Sequence, residues 1–150
     1  MEYPENLRGL RILVVDDEPY ILKILAFKLR TAGLVPIEAA TGEDALSAAL
    51  SQRPDAVLLD VSMTPGLSGF DVLKRLKEDP GTASIPVIVL TARSHPQERT
   101  TALGLGAARF LTKPFSTSAL LLELEGVLAT TPGATAGPPS ADGGPPETSV

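Results

Sequence analysis

Cysteine is absent from the 150 residues and histidine occurs once. Disulfides, thiolate zinc sites and thiol nucleophiles are therefore excluded, and an oxidising compartment gains no support. Long apolar runs are missing too: IPVIVL and SALLLELEGVLA are too short, or too interrupted by Glu, to cross a bilayer. The opening segment MEYPENLRGL is acidic and lacks the apolar stretch of a signal peptide. No membrane or export segment is expected, and the cytoplasm is the expected location. Basic clusters are also lacking. Thirteen Lys and Arg face eighteen Asp and Glu, for a net charge of −5, so nucleic acid is not an expected direct partner.

What is present is enough apolar material, 43% of the chain, for one domain with a real core. The composition changes at about residue 130. TTPGATAGPPSADGGPPETSV has no large apolar residue before Val150 and cannot offset its own ordering entropy. We expect an N-terminal extension over 1–9, a folded domain over 10–129 and a flexible Pro/Gly-rich tail over 130–150.

Within 10–129, strand-like apolar runs alternate with amphipathic runs. LRILVVD at 10–16 precedes a helix at about 19–32 that stops at Gly33, and LVPIEAA follows. Thr41 with Asp44 suggests a capping box for a helix through about Arg53, and DAVLLD reads as a third strand. GFDVLKRLKED is a helix stopped by Pro80, and IPVIVLT a fourth strand. Pro96 to Leu105 reads as a helix, ARFLT as a fifth strand and 117–129 as a last helix. Five strand–helix units predict an open parallel α/β sheet with helices on both faces.

Ligands of such sheets bind beyond the carboxyl ends of the strands, and here polar residues collect at those ends. Asp16 and Asp17 follow the first strand, Asp60 ends the third, Thr91 ends the fourth, and Lys113 with Pro114 follows the fifth. Three carboxylates without His or Cys are hard oxygen ligands suited to Mg²⁺, which offsets their mutual repulsion and accompanies phosphate chemistry. Asp60 is then a candidate nucleophile towards a phosphoryl group, with Mg²⁺, Thr91 and Lys113 binding the developing charge. Taken one at a time the same residues have blander readings. Asp17 before Glu18 and Pro19 would make a helix N-cap, Asp60 could open a turn with Ser62, Lys113 could be a surface lysine, and His95 reads as solvated.

ILVVDDEP, AVLLDV, VIVLTA and FLTKPF together resemble the receiver domain of bacterial two-component response regulators, of the stand-alone CheY-like type. The resemblance spans about residues 10–129 and implies a flavodoxin-like (βα)5 fold with strand order 2-1-3-4-5. It implies Asp60 as phospho-acceptor, Mg²⁺ bound by Asp17 directly, by Asp16 mainly through water, by Asp60 and by the Ser62 main-chain carbonyl. It further implies Thr91 as the switch hydroxyl, Lys113 as the phosphoryl contact and Phe110 as the switch aromatic, with the Lys113–Pro114 bond usually cis.

The expected function is a phosphorelay switch rather than an enzyme. A sensor histidine kinase or histidine phosphotransfer protein supplies the phosphoryl group, and a downstream protein reads the changed face. No globular output unit is read in 130–150, so either protein binding is the output or the chain is a fragment of a longer regulator. Two rivals differ in class. A haloacid-dehalogenase-type phosphatase needs a second Asp two residues after the nucleophile, where this chain has Ser62. A degenerate receiver acting as a scaffold would not need the complete set of acids, Thr and Lys. Leu122 falls off the core face of the last helix, and receivers often pair through helix 4, strand 5 and helix 5, so weak homodimerisation is expected there. DVSMTPGLSG departs from the family spacing, with Pro65 and Gly69 one place late, as though Thr64 were inserted.

Overall fold

The strands form because short runs of Val, Leu and Ile are bounded by breakers, and three of them are apolar almost throughout, as a sheet covered on both faces requires. The computed structural model describes residues 7–61, 68–92, 96–113 and 115–128. The expectations for the Ser62 carbonyl, the Thr64 spacing, His95, Pro114 and the tail lie outside those residues.

The elements run β1 (Arg11–Val15), α1 (Pro19–Thr31), β2 (Val35–Ala39), α2 (Gly42–Gln52), β3 (Ala56–Asp60), α3 (Gly69–Glu78), β4 (Val87–Thr91), α4 (Pro96–Gly104), β5 (Arg109–Thr112) and α5 (Thr117–Leu128). All neighbouring strands pair in parallel, in the order β2-β1-β3-β4-β5. The fold class is the expected one. Every residue of β3 and β4 is buried, whereas β2 and β5 at the edges carry exposed positions. Pro36 is tolerated because β2 is an edge strand.

Alternation along each strand divides the core into two layers. Leu13, Val15, Val57, Leu59, Val87 and Val89 pack with buried residues of α2, α3 and α4. Ile12, Val14, Leu58, Ile88 and Leu90 pack with α1 and α5, including Leu25, Leu29, Leu121 and Leu124.

Local chemistry sets the helix ends, with some departures from the sequence reading. Thr41 Oγ1 accepts the Asp44 N–H at 3.0 Å, which is one half of the expected capping box. The complete reciprocal box stands at α3, where Ser68 Oγ accepts the Asp71 N–H and the Asp71 carboxylate accepts the Ser68 N–H. The N-cap of α1 is Glu18, without a side-chain cap bond, so the capping alternative for Asp17 is not realised. After α2 the chain turns through Arg53 at φ 48°, a left-handed conformation that a non-glycine residue seldom adopts. Lys77 fastens the connection from α3 to β4: its half-buried ammonium donates to the Ala83 and Ile85 carbonyls at 3.0 and 2.7 Å. That burial lowers its pKa.

Candidate functional site

Parallel strands all end on the same rim, so residues at the ends of β1, β3 and β5 meet although they lie far apart in sequence. Side chains of Asp16, Asp17 and Asp60 each offer an oxygen within 4.8 Å of the other two, the one such acidic group among the described residues. Asp16 and Asp60 are almost wholly buried, at 1% and 5% exposure, and Asp17 is half-buried. Lys113, from the end of β5, brings its ammonium to 3.3 Å from Asp16 Oδ2 and 3.6 Å from Asp60 Oδ2.

Asp16 shapes the turn as well as the site. Its Oδ1 accepts the Glu18 N–H at 2.9 Å, which fixes the step from β1 into α1, and its Oδ2 accepts from Lys113. Burial pushes its pKa above the ordinary carboxylate range. The charge of Asp60 adds to the rise, while the Glu18 N–H and Lys113 oppose it.

Gly69 is what lets the α3 entry close over β3. A Cβ there would stand 2.3 Å from Val61 Cα and 2.6 Å from the Asp60 carbonyl oxygen, closer than atoms can approach.

Strand alternation splits the functional residues between the two faces. Asp60 keeps the parity of Ala56 and Leu58, and Asp16 that of Ile12 and Val14, both on the α1/α5 side. Thr91 keeps the parity of Val87 and Val89, on the side covered by α4, and Phe110 packs half-buried against the same layer. Thr91 is fully buried, and its hydroxyl donates to Glu98 Oε1 of α4 at 3.2 Å. Sequence reasoning missed Glu98: it lies seven residues on in a different element, a helix with little apolar patterning, so only the tertiary approach of α4 to β4 reveals the pairing. Gly69 was noted for its spacing, but its contact with Asp60 was not foreseeable.

The donor set fits Mg²⁺. Three carboxylate oxygens converge, no nitrogen or sulfur ligand is among them, and a cation would offset the clustered charge of Asp16 and Asp60.

The family model for the response regulator receiver domain matches residues 12–125. The phosphate regulon transcriptional regulatory protein PhoB of Pseudomonas aeruginosa is 40% identical over 126 residues, covering 83% of this chain and 55% of the relative. The chain thus spans about half the length of the curated relatives it matches. The chemotaxis protein CheY4 of Vibrio cholerae superposes with a TM-score of 0.74 at 30% identity, over 79% of this chain and 98% of that one. The receiver domain of the sensor histidine kinase PA1611 from Pseudomonas aeruginosa gives 0.75 at 30% identity, over 81% and 99%, and that structure has a magnesium ion coordinated in its active-site cleft. No helix among the described residues is long and apolar enough to cross a membrane.

Proposed function

Because the chain belongs to the response regulator receiver domain family, we propose that it acts as a phosphorylation switch whose acceptor is Asp60. The observation that carries this reading is the buried Asp60 carboxylate, converging with Asp16 and Asp17 and lying 3.6 Å from the Lys113 ammonium. The donor is a phosphohistidine presented by a histidine kinase or phosphotransfer protein. An Asp60 oxygen attacks phosphorus, the O–P bond forms as the N–P bond breaks, and the imidazole nitrogen keeps the bonding electron pair.

Asp16, Asp17 and Asp60 would hold Mg²⁺, with the Ser62 carbonyl as a further ligand, and the ion would supply charge stabilisation to the phosphoryl oxygens. Lys113 neutralises part of the charge added at Asp60, and its attraction to the phosphoryl group draws it from Asp16. Thr91 donates its hydroxyl proton to a phosphoryl oxygen, and Phe110 moves further into the α4 layer as Thr91 leaves it. The altered surface of α4, β5 and α5 is then read by a downstream protein. The chain is a phospho-acceptor rather than a turnover enzyme, since Ser62 stands where a haloacid-dehalogenase-type phosphatase carries its acid–base Asp.

The test is incubation with acetyl phosphate and Mg²⁺ followed by intact-mass measurement. Wild type should gain one phosphoryl group and Asp60→Asn none. A wild type that gains nothing, or an Asn variant that gains as much, refutes the assignment.

A further inference from the structure

Glu98 lies outside the set of residues that would touch the phosphoryl group, yet it holds one of them. It sits half-buried in the first turn of α4, and the wholly buried Thr91 donates to its Oε1 at 3.2 Å. A hydroxyl has one proton to donate, and an ionised carboxylate only accepts, so the direction of this bond is fixed. Strand parity gives the reason for the pairing: Thr91 faces the layer of α4, whereas Asp60 has the parity of the α1/α5 layer.

We propose that Glu98 is a latch, a positioning residue that holds the Thr91 hydroxyl under α4 until a phosphoryl group on Asp60 takes its proton. The inference rests on the reading of Asp60 as phospho-acceptor and adds what opposes the switch. The Thr91 proton cannot serve Glu98 and the phosphoryl oxygens together. Each state of the hydroxyl therefore implies a state of α4: bonded to Glu98, it ties the first turn of the helix to the end of β4, and withdrawn, it releases that turn. The latch makes the resting state the default, at a cost in affinity for the phosphoryl group.

The probe is beryllofluoride with Mg²⁺, titrated into the full chain and followed by ¹⁹F and amide NMR. Glu98→Ala should raise beryllofluoride affinity roughly tenfold, the scale of a lost hydrogen bond to a charged group. Glu98→Gln, which keeps a neutral acceptor, should fall between Ala and wild type and guards against a folding defect in the Ala variant. In the free protein, the amides of α4 should exchange faster in Glu98→Ala than in wild type.

The decisive comparison is in a Thr91→Val background, where Glu98→Ala should change affinity little, because no proton remains to compete for. Simple charge repulsion between Glu98 and the bound group would persist there in full. An equal gain in both backgrounds, or no gain in either, overturns the latch while leaving Asp60 as acceptor. A wild type that binds no beryllofluoride overturns the acceptor reading and the latch with it.

Discussion

Asp16 carries a folding cost that the site imposes. Its carboxylate is 1% exposed, and burial together with Asp60 raises its pKa, so the folded chain holds that proton to a higher pH than the unfolded chain does. Below the ordinary value of 3.8 both states are protonated and the group is neutral to stability. As pH climbs through the window between that value and the raised one, the unfolded state ionises first, stability falls, and the loss persists at neutral pH. Asp16→Asn removes the charge but keeps an oxygen to accept the Glu18 N–H. It should therefore melt roughly 2–5 °C above wild type at pH 7 without divalent ions, with the gain fading at acid pH. A variant that melts lower would show that the Lys113 pairing outweighs burial, and a gain that is the same at every pH would show that the buried charge is not its source.

At the scale of the element, the start of α3 is held where backbone meets backbone. The atoms that a Cβ on Gly69 would strike are Val61 Cα and the Asp60 carbonyl oxygen, neither the far end of a flexible side chain. Gly69→Ala should cost about 1–3 kcal/mol, seen as a lower urea midpoint with an unchanged slope. It should also slow phosphoryl transfer to Asp60 by displacing the end of β3; a variant equal to wild type in both would show that α3 can shift freely. The strands were readable because β3 and β4 are buried on both faces, so VLL and VIVL are nearly pure apolar runs that end on a polar residue. Asp60 stood out for the same reason: a charge closing an apolar strand needs a partner. The Ser68–Asp71 box was equally local but was passed over, and Arg53 escaped because left-handed geometry is expected of glycine. Glu98 was illegible in principle, since its role depends on where α4 lies and not on any periodicity of its own.

Across the whole molecule, the face of α4, β5 and α5 is the one expected to change shape, and it carries exposed Leu103 and Leu122, the latter at 64%. Beside them, Arg109 of β5 pairs with Glu123 of α5 at 2.8 Å. Charge next to exposed apolar surface suits a weak, switchable contact between copies. Beryllofluoride with Mg²⁺ should shift small-angle scattering from monomer towards dimer, and Leu122→Asp should abolish the shift. A profile that stays monomeric with beryllofluoride bound removes self-association from the mechanism.

The strand order also has a consequence in time. β1 lies inside the sheet, between β2 and β3, yet it is the first of the five strands to be synthesised. One edge is covered soon, by β2, but the Arg11 N–H finds its partner in Asp55 only 44 residues later, just ahead of β3. At about 5–20 residues per second, the nascent ILVV segment has an open edge for roughly 2–9 s. A segment that ends fully buried in the finished protein is thus one that biosynthesis leaves for seconds to the company of other chains.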